Sequence, residues 1–248
     1  MKTATSLIVL FIIAMLFNNS FAQSKIKTTN ALNIGEKLKI HSIILNEDRI
    51  LNIYLPNGYA KDSIKKYPVI CLLDGSINED FIHISGLVQF GSFSWINMIP
   101  ETIVVGIANV DRKRDFTFPT KVKRDKREFP TTGKSQKFIN FIESELQPLI
   151  TKTYHTNGIK TLIGQSLGGL LATEILFKKP AMFTNYIIIS PSIWWNKESL
   201  LKMEPQKYTS KKSIYIAVGK EGKVMERTAK ELYEKLNLNK EKKHQLVF

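Results

Sequence analysis

The chain has 248 residues, of which 43% are hydrophobic, and a formal charge of +14. That length and apolar content support one sizeable core, hence one domain, and the single cysteine, Cys71, excludes an intramolecular disulfide, so stability must come from packing around what reads as a buried thiol. The lysines are scattered along the whole chain and no helix is basic on one face with aromatics interleaved, which argues against a nucleic-acid partner and leaves attraction to acidic ligands open.

Taken in order, Lys2 precedes an apolar run over 7–17 that ends in Ser20-Phe21-Ala22, the charged start, apolar middle and small-residue end of a secretory signal peptide. A run of about 11 residues is short of the ~20 that span a bilayer, so the reading is export to the periplasm or medium, with cleavage after Ala22 and no stable membrane span afterwards. Residues 23–36 are polar and unpatterned, an exposed lead-in, and the domain proper is expected over 37–248. Alternating stretches at 38–45 and 49–55, joined by Asn46-Glu47-Asp48, predict an antiparallel hairpin. The apolar run over 67–73 predicts a strand buried on both faces that ends in a tight turn at Asp74-Gly75-Ser76. A helix over 78–90 and a second buried strand over 102–108 follow. Residues 111–133, rich in charge, Pro and Gly, read as a long loop, and 135–154 as an amphipathic helix kinked by Pro148.

The next segment carries the chemistry. Residues 160–163 predict a short strand and 167–178 a helix stopped by Pro180, and between them lies Gly164-Gln165-Ser166-Leu167-Gly168, of the form G-x-S-x-G. The glycines let strand and helix pass close together, and they set Ser166 at a helix N-terminus, where backbone N–H groups favour a developing negative charge. The same residues also suit a glycine-rich turn in which Ser166 merely caps the helix. Beyond it, a strand over 185–190 runs into Pro191-Ser192-Ile193-Trp194-Trp195 and a strand over 213–218 into Gly219-Lys220-Glu221-Gly222. A helix over 224–236 and one more strand, begun at 244–248, complete the pattern. The alternation implies a mostly parallel, doubly wound α/β sheet opened by the hairpin and incomplete at its C-terminal edge, with the ligand site at the carboxyl ends of the strands. No metal-ligand spacing or dinucleotide fingerprint is present, so neither a metal nor a cofactor is expected.

Four stretches resemble the α/β-hydrolase fold: Leu72-Leu73-Asp74-Gly75, the segment from Val105 to Asp115, Gly164 to Gly169, and Ser190 to Trp195. More narrowly, they resemble the esterase family that includes siderophore esterases, esterase D and mycolyl-transferase-like proteins. The resemblance implies that Ser166 is the nucleophile and that the oxyanion hole is built from the N–H of Leu167 and that of Gly75 or Ser76. It implies that Glu221, just past the seventh strand, is the triad acid; a helix-capping role fits that position equally well. Arg112, Arg114, Trp194 and Trp195 would face the substrate, and the two arginines suit an anionic small-molecule ester, such as a catecholate siderophore, or structural salt bridges.

The resemblance also implies a histidine in a loop after the eighth strand. His244, the one histidine after Ser166, stands at the start of that strand, roughly 13 Å short of its carboxyl end. His41 and His155 belong to the hairpin and to the connection before the Ser166 strand, and His83 alone starts on the correct side of the sheet. Two expectations follow: an exported serine esterase, truncated as given and therefore a poor catalyst, or a hydrolase-like protein that binds a ligand without turning it over.

Overall fold

The computed structural model describes residues 28–61, 63–238 and 245–247, so the expected signal peptide and His244 lie outside the described residues. Two units are distinguished, Met1–Asn33 and Ile34–Phe248. Of the first, residues 28–33 are described; they are exposed and without regular structure.

The second unit is built on a sheet of eight strands. β1 (Gly35–Ser42) and β2 (Glu47–Tyr54) form the opening hairpin, and Asn46, at φ 54, makes its turn. β1 ends three residues before the alternation predicted and β2 begins two residues before, because residues 43–46 form the turn and Ile43 stands exposed. The sheet continues through β3 (Tyr67–Leu72), β4 (Ile103–Ile107), β5 (Thr156–Gln165), β6 (Asn185–Ile189), β7 (Ser213–Ala217) and β8 (Gln245–Val247), in the spatial order β1-β2-β4-β3-β5-β6-β7-β8. β2 meets β4 antiparallel, and every pair from β4 to β8 is parallel. Parallel neighbours require crossovers. These are carried by α1 (Phe81–Gly91), by a group comprising α2 (Arg112–Phe116), α3 (Lys123–Glu128), α4 (Ser135–Phe141) and α5 (Gln147–Thr153), by α6 (Leu167–Lys178), by the short helical turns of 195–202 between β6 and β7, and by α7 (Lys223–Leu238).

Alternation along β3 explains its continuous apolar run. Val69, Cys71 and Leu73 join the main core with Phe138, Phe141, Leu162, Leu170, Ile188 and Leu232, whereas Ile70 and Leu72 pack with Phe81 and Val88 of α1 on the other face. Burial pushes the Cys71 thiol up to about 12, so it is a neutral core group.

Two readings of the chain need correction. Residues 111–133 are not a loop: they contain α2 and α3, and Phe116, Thr117, Thr120 and Asp125 are buried. Their polar groups are satisfied internally. The Asp125 carboxylate accepts from the Thr120 hydroxyl (3.1 Å) and the Asn196 N–H (3.1 Å), so a charge-rich stretch can pack. Nor is 135–154 one kinked α-helix, because Ile142–Leu146 is a π-helical turn between α4 and α5. Pro148, in the first turn of α5, has no N–H for an α-helical bond, and the bond from the Gln147 N–H to the Ile142 carbonyl takes the wider register. The widened turn brings Glu145 to the hairpin, where it accepts from the Ser42 hydroxyl (2.5 Å) and the Ile44 N–H (2.9 Å).

Candidate active site

Parallel register carries the chain off the sheet at neighbouring points, after β3, β5, β6 and β7. At the end of β5 the backbone reverses at Ser166, whose φ of 56 and ψ of −116 lie in a region that costs a residue with a side chain of order 1–3 kcal/mol. The neighbours make the reversal possible. A Cβ on Gly164 would fall 2.4 Å from the Gly168 carbonyl oxygen, and one on Gly169 would fall 2.9 Å from Pro191 Cα. The Ser166 N–H donates to the Ile189 carbonyl (3.0 Å), while its own carbonyl accepts from Leu170 (3.0 Å) and Ser192 (3.0 Å). The half-buried hydroxyl is left 3.3 Å from the Ser192 hydroxyl, beside the first N–H groups of α6, which have no partner within the helix.

The turn after β3 faces it. Asp74 is buried at φ 54, its carboxylate packed on the first turn of α6: a Cβ on Gly168 would lie 3.4 Å from Asp74 Oδ2. Arg112 forks this carboxylate, Nε to Oδ1 at 2.6 Å and Nη2 to Oδ2 at 2.8 Å, and Nη2 also donates to the Gln165 carbonyl at 3.2 Å. Asn109 Nδ2 bonds both Asp74 (2.7 Å) and Glu79 (3.0 Å), and Glu79 in turn accepts the Ser76 N–H (3.2 Å). Burial raises the Glu79 carboxyl, but the bonds from Ser76 and Asn109 and the nearby Arg112 charge outweigh it, and the net shift is downward. Beside it, Asp80 is pushed up by burial and by the charges of Asp74 and Glu79.

The expected site residues separate into two groups. Ser166, Leu167, Ser76 and Arg112 gather around this corner. Gly75 is there too, but its N–H is spent on the Ile107 carbonyl (3.0 Å), and a Cβ on it would lie 2.3 Å from Gly106 Cα; in this conformation it offers no oxyanion donor. Arg114 points away, its guanidinium held by Glu47 (2.6 and 2.9 Å) and Asp115 (2.7 Å), which makes it a structural salt bridge in place of the substrate contact expected. Trp195 also needs correction. It is 0% exposed, edge-on to Phe129 and bonded through Nε1 to the Phe118 carbonyl (2.9 Å), a core residue with no ligand-facing surface. Trp194 is half-buried above it. Glu221 lies past β7, where its carboxylate accepts from the Ser190 hydroxyl and the Gly219 N–H (3.3 Å).

Among the described residues no histidine bonds the Ser166 hydroxyl. His41 pairs with Asp48 (2.9 Å), His155 meets the Lys61 carbonyl (2.7 Å) before the start of β5, and His83 lines a groove on the α1 side of the sheet. That groove, about 690 Å³, has Ile70, Ile84, Ile163 and Ile187 as apolar walls and ends at Gln165. Asp74, Asn109 and Ser192 lie in the stretches that carry the resemblance but were given no role there, and Glu79 was not singled out from the sequence. Only the Asp-Gly dipeptide hinted at the turn, and nothing local signals an ion pair between residues so far apart in the chain.

Residues 42–248 match the model of the Esterase family, described as "Putative esterase". The chain belongs to this esterase family. It is 33% identical over 232 residues to the ferri-bacillibactin esterase BesA of Bacillus subtilis (strain 168), covering 84% of this chain and 80% of the relative. Among solved structures it resembles the BES protein from Bacillus cereus (32% identity, TM-score 0.76, 90% of each chain covered). It also resembles an IroE-like serine hydrolase from Shewanella oneidensis (30% identity, TM-score 0.72, 86% of this chain and 72% of that one). These likenesses fit the α/β-hydrolase topology. Among the described residues no helix is long and apolar enough to cross a membrane.

Proposed function

We propose that this chain is an exported serine hydrolase of carboxylic esters, with Ser166 as the nucleophile of a strand-turn-helix elbow. The observation that carries the reading is the Ser166 backbone, held at φ 56 by glycines that no larger residue could replace, so that its hydroxyl meets the start of α6. The Ser166 oxygen attacks the ester carbonyl as its proton passes to a general base. The Leu167 N–H and the dipole of α6 stabilise the oxyanion that forms. The alcohol departs with the proton, and water then cleaves the acyl-serine by the same steps in reverse. Ser76 supplies the second donor once Glu79 gives up its N–H.

The substrate class is an ester with anionic or phenolic oxygens, such as a siderophore. Two observations favour it: the relative named above is a siderophore esterase, and among the described residues nothing bonds Arg112 Nη1, which leaves one edge of a fixed guanidinium beside the corner. A second reading, a binding protein with little turnover, is favoured by one specific observation, the absence of a histidine partner for Ser166 among the described residues. Hydrolysis of a chromogenic phenyl ester separates the two. The esterase reading requires phenolate release that Ser166→Ala abolishes, and the binding reading requires saturable affinity without release. Export is tested by the mass of the secreted form, which should begin at Gln23.

A further inference from the structure

We infer that Asp74 is a positioning residue of this site: acting through Arg112, it fastens the turn after β3 to the peptide that precedes Ser166. The inference rests on the reading of Ser166 as nucleophile.

β3 and β5 are neighbours, paired as far as Leu72 and Ile163, and the last main-chain bond between them runs from the Leu73 N–H to the Ile163 carbonyl (3.0 Å). Beyond it the two chains diverge, one into the turn that carries Ser76 and the other into the reversal at Ser166. Groups that must act together are thus carried on segments the ladder no longer holds. A run of side-chain bonds replaces it. The Gln165 carbonyl accepts from Arg112, Arg112 forks Asp74, Asn109 joins Asp74 to Glu79, and Glu79 holds the Ser76 N–H. Asp74 is the centre of this run, since three of its bonds meet on one buried carboxylate.

Its seat is built for a small anion. The carboxylate lies against the first turn of α6, where the helix dipole favours negative charge, and Gly168 leaves the space for it. Arg112 is held from behind, because α2 is anchored to the hairpin by Arg114, Asp115, Glu47 and Arg49. Two of the three guanidinium nitrogens are committed to Asp74 and Gln165, so Arg112 is a strut first, and only its free edge can meet a ligand. Loss of the strut would let the donors and the hydroxyl drift apart, an error of the size that costs about 10²-fold in rate for each ångström.

The test is the covalent labelling of the full chain by a fluorophosphonate, with the labelling rate followed against probe concentration. Asp74→Asn is the informative variant. Asn adopts positive φ as readily as Asp, so the change removes the charge and spares the turn. The expected result is an unchanged circular-dichroism spectrum, a maximal labelling rate lower by about 10²-fold and an unchanged half-saturating concentration. Should Asp74→Asn fail to fold, Arg112→Ala, read on its maximal rate because its free edge can also meet a ligand, should show the same loss of rate, and millimolar guanidinium should restore part of it. A structural ion pair would show neither the split between rate and saturation nor the rescue. Labelling of D74N at the parental rate, or an R112A rate that guanidinium leaves unmoved, would overturn this inference alone. A parent that no probe labels would overturn the nucleophile assignment and this inference with it.

Discussion

Arg112 and Arg114 stand two residues apart on one short helix and do different work. Two steps of 100° turn the second side chain about 200° from the first, so one guanidinium faces the corner around Ser166 and the other faces the hairpin. Arg112 is a third exposed and keeps a free edge, whereas Arg114 lies in a network with Glu47, Asp115 and the fully buried Arg49, which also stacks over Phe138 at 4.9 Å. A charged motif that looks uniform in sequence thereby sends one guanidinium to the corner around Ser166 and the other into the hairpin network.

The largest effect should fall on the architectural side. Arg49→Ala removes a fully buried guanidinium that pairs with Asp115 and Glu47 and stacks over Phe138, leaving Asp115 to Arg114, and should cost about 3–5 kcal/mol of stability in urea denaturation. A loss within the range of a surface substitution would show that the hairpin network is dispensable. Arg114→Gln should cost less, about 1.5–3 kcal/mol, because Arg114 is partly exposed where Arg49 is fully buried, and Arg49 still partners Asp115. Its half-saturation with an anionic ester should be unchanged, and a rise there would move Arg114 back to the ligand side. Smaller again is the cap of the helix that carries both arginines. Asp111 accepts from the Arg114 N–H (3.0 Å) and the Thr131 hydroxyl (3.0 Å), and Asp111→Ala should cost ~1 kcal/mol.

That cap has a pH signature. Burial raises the Asp111 carboxyl, but the Arg114 N–H, the Thr131 hydroxyl and the Arg114 charge overcome it, so its native pKa lies below the ordinary 3.8. A group lowered on folding adds stability that is complete above 3.8 and lost as pH falls through the native value, and thermal melts below 3.8 should flatten in the alanine variant. Arg112→Gln should be the mildest, about 1 kcal/mol, because the guanidinium is a third exposed and Asn109 still bonds the buried Asp74 carboxylate, even though the same variant slows labelling of Ser166. A variant that unfolds the chain would erase the contrast between the two arginines.

Much of the fold was legible because periodicity reports burial. The run over β3, the helix after Ser166 and the strands at β6 and β7 lie within a residue or two of where their patterns put them. The charged stretch 111–133 was misread for the reason that also hid the site: its polar groups pair with residues remote in sequence, as Asp125 does with Asn196 and Arg49 with Asp115. Local composition then reports solvent where there is an interior. Ser166 could be found because a sharp turn needs glycines at fixed offsets, a constraint written locally. Asp74 could not, since its role rests on Arg112 and on the space left at Gly168. Trp195 shows the converse case, a motif residue of conspicuous type whose ring fills the core.

The central claim, that Ser166 is the reacting group, is tested most directly by peptide mapping of the full chain after reaction with a fluorophosphonate. One adduct per chain on the peptide that contains Ser166, absent from Ser166→Ala, is the predicted result. An adduct on Ser192 or Ser76, or labelling that persists in Ser166→Ala, would contradict it.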